Sequence, residues 1–150
     1  MSKNMSENLS GSLRARTGVY GHQWGDFDSK FATEHAGYYT RILAADCLWM
    51  PHEHENLALS MQYFLSPHPA ARVYVIAGFH TGRAKIAPFF EDVVPQHGLE
   101  VEEIYEMNAE GQRRPWAKER DGGREDVGER KKWLVVARLR RSVSQWPDPL

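Results

Sequence analysis

An aspartate ends an apolar run, at a position where a carboxylate can take part in chemistry. The run Tyr38–Asp46 consists mostly of residues suited to burial and stops abruptly at Asp46. A carboxylate there can accept hydrogen bonds from an amine or amide nitrogen and orient its lone pair. Trp49 follows three residues later, and its ring can exclude water or stack on a flat or cationic group. The aspartate can equally begin a turn or cap the next helix, so spacing leaves both interpretations open.

A tryptophan in a glycine-flanked segment is the second candidate. The two glycines of Gly21–Gly25 favour a loop that brings the backbone close to another group. Trp24, within this segment, fits either a ligand contact or an aromatic lid over a sheet edge.

Three further motifs predict ordinary structural roles. His52 and His54 are two residues apart, which on a helix turns them in different directions, so we predict no metal site. Cys47 is predicted to be a small buried residue rather than a nucleophile. The glycines of Gly78–Gly82 follow a predicted strand, as in a phosphate loop, but the Lys-Ser/Thr ending of that motif is absent.

Four apolar or alternating runs predict strands, and two amphipathic patterns between them predict helices. The predicted strands are Tyr38–Asp46, Arg72–Ala77, Leu99–Met107 and Lys132–Leu139. This order predicts an α/β fold whose first strands are parallel, through right-handed crossovers, with an antiparallel hairpin at the C-terminal end. Ligands of such sheets bind beyond the carboxyl ends of the strands, where Asp46 and Gly78 fall.

Composition excludes several classes of protein. The chain has 150 residues, which fits one domain, and a formal net charge of -1, which argues against a protein that coats nucleic acid. The arginines of Arg138–Arg141 alternate with an apolar residue, as expected for the solvent-exposed face of a strand. One cysteine excludes an internal disulfide. With no span-length apolar run and no export signal, we predict a cytoplasmic protein without membrane or nucleic-acid partners.

The chain divides into a polar terminus at residues 1–18, a domain at residues 19–141 and a loose tail at residues 142–150. Within the domain, Asn108–Arg130 is nearly all charge, glycine and proline. We predict a solvated or disordered hairpin loop there, because so polar a segment buries too little apolar surface to offset the entropy of ordering it.

Several segments together resemble a known family. They are Gly21–Gly25, Ile42–Trp49, His54–Leu57, and Val73–Gly78 leading into Phe89 and Phe90. Over about Val19 to Leu139 the chain resembles the C-terminal half of the fungal nicotinamide N-methyltransferase-like family. That family lies in the lysine methyltransferase-like group of seven-β-strand, S-adenosylmethionine-dependent methyltransferases. The resemblance implies a truncated Rossmann-like class I methyltransferase sheet that contains the family's strands four to seven.

The resemblance also implies roles for the candidate residues. Trp24 resembles the tryptophan after the third family strand, which packs beside the bound cofactor, and Ala45 resembles the small residue at the end of the fourth strand that contacts it. Asp46 and Trp49 resemble the ends of the Asp-x-x-Tyr/Phe signature at the substrate nitrogen, with Trp in place of the usual ring. The implied cofactor is S-adenosylmethionine, and the implied acceptor is a protein lysine or a small nicotinamide-like amide.

Part of the family pattern is missing from the sequence. Family members begin with a strand, a glycine-rich turn and a helix that hold the methionine part of the cofactor, and no strand with a Gly-x-Gly turn precedes Trp24. We therefore expect the isolated chain to bind S-adenosylmethionine weakly or not at all. Because the family's fourth strand pairs with its first, we expect Tyr39–Ala45 to form an exposed apolar sheet edge.

Two hypotheses of function remain open. The chain is either an incomplete N-methyltransferase or a catalytically inactive α/β remnant. In the second case it would act as a binding or dimerising module that self-associates through the exposed sheet edge.

Overall fold

The protein is built around a five-stranded sheet connected by short helices. The computed structural model describes residues 2–142, so residues 143–150 of the predicted tail lie outside the described residues. In chain order the elements are α1 (Ser2–Asn8), α2 (Gly11–Arg14), α3 (Lys30–His35), β1 (Arg41–Ala45), a 3₁₀ turn (Pro51–Glu53), α4 (His54–Phe64), β2 (Arg72–Gly78), α5 (Arg83–Pro88), a π-helical segment (Phe89–Val93), α6 (Val94–Gln96), β3 (Leu99–Asn108), β4 (Arg113–Pro115), a second 3₁₀ turn (Asp121–Gly123), α7 (Val127–Arg130) and β5 (Trp133–Arg141). None of the helices in this described part is long and apolar enough to cross a membrane.

The strands lie in the order β1-β2-β5-β3-β4. Strands β1 and β2 are parallel, and α4 connects them, whereas every other neighbouring pair is antiparallel. The predicted α/β sheet, with parallel strands followed by a C-terminal antiparallel hairpin, is therefore confirmed. The structure adds that β5 enters between β2 and β3, which leaves β1 at one edge of the sheet and β4 at the other.

The core lies where the central strands meet the helices. In β2, Val73, Val75 and Ala77 are buried and alternate with half-buried residues, as a strand with one face on the core requires. In α4, Leu57 and Met61 are buried together, so the amphipathic pattern between the first two predicted strands forms a helix with one face on the core.

The helix after β2 accommodates a proline in its interior. Pro88 fits only the first turn or a kink, yet the helix already begins at Arg83. A π-helical segment starts directly after the proline, which has no N–H to donate, so the change of winding coincides with the missing hydrogen bond. The helix ends at Gln96, and Gly98, with φ +73°, adopts the left-handed conformation that commonly terminates a helix.

The segment between β3 and β5 is mostly exposed to solvent, as one of the two predicted alternatives has it, but it forms short ordered elements rather than a plain loop. It contains β4, which pairs with β3, and α7, whose N-terminal cap Asp126 accepts a hydrogen bond from the backbone N–H of Glu129. Arg114 of this segment forms an ion pair with the buried Glu106 of β3, and Glu125 forms one with the buried Arg83 of α5. Ionic contacts, together with the packing of Trp116 on Phe79 and Phe90, thus hold the segment to the rest of the fold.

A bulge in β3 creates an ionic contact across three strands. The register between β3 and β5 shifts at Glu102, which is the extra residue between Val101 and Glu103. Its carboxylate accepts hydrogen bonds from Arg72 Nε of β2 at 2.7 Å and from Arg138 Nε of β5 at 2.6 Å. These hydrogen bonds, that from Arg72 first, hold the pKa of Glu102 down at about 2.

We expect this carboxylate to contribute to stability at neutral pH and to lose its contribution in acid. Because its folded pKa of about 2 lies below the ordinary value of 4.5, the contribution is present above pH 4.5 and is lost as the pH falls towards 2. Glu102→Gln should therefore reduce the pH dependence of the free energy of unfolding across this interval, as measured by urea denaturation. Glu103→Gln is the control, because Glu103 makes a single contact with Arg138 at 3.4 Å. Equal pH dependence in the Glu102 variant and the unsubstituted protein would contradict the expectation.

Candidate functional site

Asp46 directly follows β1, at the carboxyl end of the parallel pair. Its backbone N–H donates to the carbonyl of Ile76 in β2 at 2.7 Å, which continues the ladder one residue beyond the strand. Its φ of +54° lies in the left-handed region, which aspartate adopts more readily than most residues with a side chain. The residue is exposed, and Met50 rather than Asp46 caps the following helical turn. Asp46 therefore starts a turn and presents its carboxylate to solvent.

The loop after Asp46 is anchored by two residues of its surroundings. Leu48 is buried, and His54, at the start of α4, donates from Nε2 to the carbonyl of Leu48 at 3.1 Å. Burial lowers the pKa of His54, so the ring is neutral near pH 7 and acts as a structural brace. Trp49, one residue beyond Leu48, is 57% exposed, so its ring is accessible to an incoming molecule.

Trp24 is held against α4 by its neighbours. Ser60 Oγ accepts a hydrogen bond from the backbone N–H of Gly25 at 2.9 Å and lies 3.3 Å from His22 Nε2. Gly25 has φ +81°, and a Cβ on it would stand 2.7 Å from Oδ1 of Asn56. Only glycine meets both conditions without strain, so this residue fixes the position of the tryptophan loop on the helix.

A cavity of about 320 Å³ lies between the free edge of β1, α4 and the tryptophan loop. Its walls are mostly apolar, and they include Trp24, Ile42, Leu43, Leu57, Met61 and Phe64. Ala44 and Cys47 also line it, whereas their neighbours Ala45 and Asp46 are exposed at the end of the strand. The structure thus brings Trp24 to the strand that carries Ala45 and Asp46, but the described residues lining the cavity do not include those two or Trp49.

Cys47 is unsuited to nucleophilic catalysis. Its Sγ donates to the carbonyl of Ala45 at 3.4 Å. Burial, and then the negative charge of Asp46, raise the pKa of the thiol. The thiolate, which is the reactive form, is therefore disfavoured at neutral pH. In the described part of the chain, no three His, Cys, Asp or Glu side chains form a group that could hold a metal ion.

The sequence analysis missed a buried ionic cluster. Glu106 in β3 has no solvent exposure, and its carboxylate accepts hydrogen bonds from Arg83 Nη1 at 2.5 Å, Arg114 Nε at 2.7 Å and Arg120 Nη2 at 3.3 Å. Glu125 accepts two further hydrogen bonds from Arg83, both 2.9 Å long. Burial alone would raise the pKa of Glu106, but the hydrogen bonds from Arg83 and Arg114 outweigh it and hold the pKa below its ordinary value.

One sequence signal could have revealed this cluster. In β3, Glu106 follows Ile104 at the two-residue spacing of a strand, so a carboxylate occupies a position on the same face as an apolar residue. A buried carboxylate requires cationic partners, and Asn108–Arg130 is the arginine-rich segment that follows directly.

The cluster lies at the same end of the strands as Asp46, where β1 and β2 finish. Gly78, the last residue of β2, is opposite Leu134, and Glu106 is opposite Val135 near the start of β5. The segment between β3 and β5 therefore leaves the sheet at the carboxyl ends of β1 and β2. Arg83 ties this segment to the start of α5.

Comparison with known proteins gives a likeness in structure but none in sequence. No protein-family model and no curated protein matches the sequence. Among solved structures, a mutant 16S rRNA (adenine(1408)-N(1))-methyltransferase with cosubstrate SAM, from Catenulisporales acidiphilia, matches with a TM-score of 0.45 and 9% identity. The match covers 77% of this chain and 58% of that chain. A likeness at this level is too low to support a function, and the α/β fold stated above rests on the sheet topology.

We expect the carboxylate of Glu106 to be required for stability. Glu106→Gln removes the buried negative charge with which Arg83, Arg114 and Arg120 form ion pairs. Removing one member of a buried ion pair costs about 3–5 kcal/mol. The free energy of unfolding from urea denaturation measures the loss. Glu129→Gln is the control, because Glu129 pairs with Lys132 in solvent and should change stability little. Similar small changes in both variants would show that the cluster does not stabilise the fold.

Proposed function

We propose that the chain forms the acceptor side of an S-adenosylmethionine-dependent N-methyltransferase whose cofactor site is incomplete. The observation that carries the proposal is the exposed carboxylate of Asp46 at the carboxyl end of β1, beside an apolar cavity lined by Trp24. In this proposal β1, β2, β3 and β5 correspond to strands four to seven of the nicotinamide N-methyltransferase-like family. The parallel pair and the antiparallel hairpin support that correspondence. The single cysteine supports a cytoplasmic location.

The described residues fit the cofactor in part. When bound, S-adenosylmethionine supplies a methyl group on a positively charged sulfur. The cavity offers apolar walls suited to a flat ring, and Nδ1 of His22, which lines it, is buried without a hydrogen-bond partner among residues 2–142. Ser60, a polar residue of α4 in the cavity wall, already accepts a hydrogen bond from the tryptophan loop. These groups supply one wall of a cofactor site, which supports the expectation of weak binding.

Asp46 is proposed to position the acceptor nitrogen. Its carboxylate would accept a hydrogen bond from an N–H of the acceptor and so direct the nitrogen lone pair towards the methyl carbon. In the displacement the nitrogen–carbon bond forms as the carbon–sulfur bond breaks, and the electron pair of that bond stays on the sulfur. The nitrogen gains positive charge, which a neighbouring carboxylate stabilises. A strong base is not needed for this step.

Trp49 is proposed to form the wall of the acceptor pocket. Its exposed ring can stack on the flat ring of a nicotinamide-like amide or lie against the aliphatic chain of a protein lysine, which reacts as the neutral amine. Both acceptors therefore remain within the proposal. In either case the ring would help to exclude water from the reacting nitrogen.

A second candidate function is that of a binding or dimerising module. Among residues 2–142, β1 has a neighbouring strand on one side only, so one row of its backbone groups is unpaired. Leu43 in the middle of this strand is 67% exposed and also borders the cavity. An unpaired strand with exposed apolar side chains favours the addition of another strand.

We predict that two variants affect different steps in an enzyme assembled from this chain and the segment that completes its sheet. Asp46→Ala should lower turnover by about tenfold or more, because positioning of the nitrogen is lost, with cofactor affinity little changed. Trp24→Ala should instead weaken cofactor binding. Turnover from a methyl-transfer assay and affinity from calorimetry separate the two effects.

The control for this prediction is Asp46→Asn. Asparagine also tolerates the left-handed backbone and keeps an oxygen that accepts a hydrogen bond, so it tests the charge apart from the turn. Unchanged turnover in both variants of Asp46 would remove this residue from the mechanism.

For the second candidate, we expect self-association that depends on the free edge. Leu43→Lys should abolish a concentration-dependent dimer in sedimentation velocity, because it places a charge on the edge strand. Leu134→Lys is the matched control, since Leu134 is also partly exposed but lies on β5, between two other strands. A monomeric unsubstituted protein at all concentrations would exclude the dimerising module.

A further inference from the structure

We propose that a small cavity beside α5 binds a phosphate-type oxyanion. The cavity, of about 160 Å³, lies between the start of α5 and the segment that joins β3 to β5. Basic side chains from both sides line it, namely Arg83, Lys118, Arg120 and Arg130. The proposal does not depend on methyl transfer, because anion binding can be measured without cofactor or turnover.

Two of the lining cations have no ionic partner in the described residues. Arg130 and Lys118 form no ion pair within residues 2–142. The Nε atoms of Arg130 and Arg120 are buried, and they have no hydrogen-bond acceptor there. A cation that no carboxylate pairs with attracts an anion, the more strongly where it is partly removed from water. An oxyanion in the cavity would supply the missing partner of Arg130 and Lys118.

The charge around the cavity favours an anion. Glu106 and Glu125 are already engaged by Arg83 and Arg114. The remaining carboxylate, Glu119, is exposed. The lining residues together with their ion-pair partners are five cations and three carboxylates, namely Arg83, Arg114, Lys118, Arg120, Arg130, Glu106, Glu119 and Glu125. Positive charge thus exceeds negative charge by two before any ligand binds.

The walls of the cavity are held in place before binding. Arg83 donates to the carbonyl of Ala117 at 2.7 Å, and its guanidinium lies 4.2 Å from the centre of the Phe79 ring. Arg120 donates through Nη2 to the carbonyl of Pro115 at 2.5 Å, so its guanidinium is fixed at the cavity wall. A prearranged set of donors avoids much of the entropy cost of ordering side chains on binding.

The number of basic side chains at the cavity favours a phosphate-type anion over a carboxylate. Besides Arg83, three of them line it: Lys118 and Arg120, which precede the second 3₁₀ turn, and Arg130 in α7. A phosphate offers oxygens in more directions than a planar carboxylate, and arginine binds phosphate through charge-assisted hydrogen bonds. We therefore assign the cavity to inorganic phosphate or to the phosphoryl group of a monoester.

Calorimetric titration of the full chain with inorganic phosphate, at constant ionic strength, tests the assignment. We expect saturable binding at millimolar phosphate. Arg130→Gln should weaken it about tenfold or more, the effect of losing one charge-assisted hydrogen bond. Arg130 makes no side-chain bond within the described residues, so its variant should keep the melting temperature of the unsubstituted protein.

Arg124→Gln is the matched control. Arg124 is exposed on the same segment, does not line the cavity, and its variant carries the same change in net charge. No saturable binding, or equal weakening by both variants, would overturn the proposal. Titration with O-phosphoserine separates the two sources: binding as tight as that of phosphate indicates a phosphorylated partner, and clearly weaker binding indicates the free ion.

Discussion

The carboxylate of Glu106 lies fully inside the protein, and its burial governs how the surrounding segments must fold. A carboxylate that is removed from water needs cationic partners at hydrogen-bond distance. Here they come from three places along the chain: Arg83 of α5, Arg114 of β4 and Arg120 beyond β4. Each arginine brings its own segment to β3. One desolvated charge therefore determines the path of a segment whose composition alone would leave it unfolded.

The two proposed sites, both at the end of the sheet where β1 and β2 finish, are held by different kinds of interaction. Near Asp46, the contacts are those of a neutral His54 ring, a buried leucine and a backbone hydrogen bond to β2. Around Glu106, the contacts are ionic. A neutral support leaves the exposed carboxylate as the local charge, which suits the positioning of an acceptor. The ionic support instead leaves cations in excess, which suits the binding of an anion.

The sequence pattern predicted β1, β2, β3 and β5 and the helices between them, because their apolar residues recur at the spacing of each element, but it missed α3, β4 and α7. It also located the sharp turn at Asp46, since a carboxylate after an apolar run marks the end of a strand. It could not locate β5 between β2 and β3, because that position depends on pairing between residues far apart in the chain, such as Val75 and Ala137. Nor could it show the ion pairs of Glu106, because composition counts charges without showing which of them meet.

The place of β5 in the sheet affects how the protein can fold during synthesis. This strand is the last of the five to be made, yet it lies between β2 and β3 and hydrogen-bonds to both. While the ribosome is still making the preceding segment, β2 and β3 have no strand between them, and their facing backbone groups are open to other chains. A nascent chain paused before β5 would therefore expose two unpaired strand edges at once, in addition to the free edge of β1.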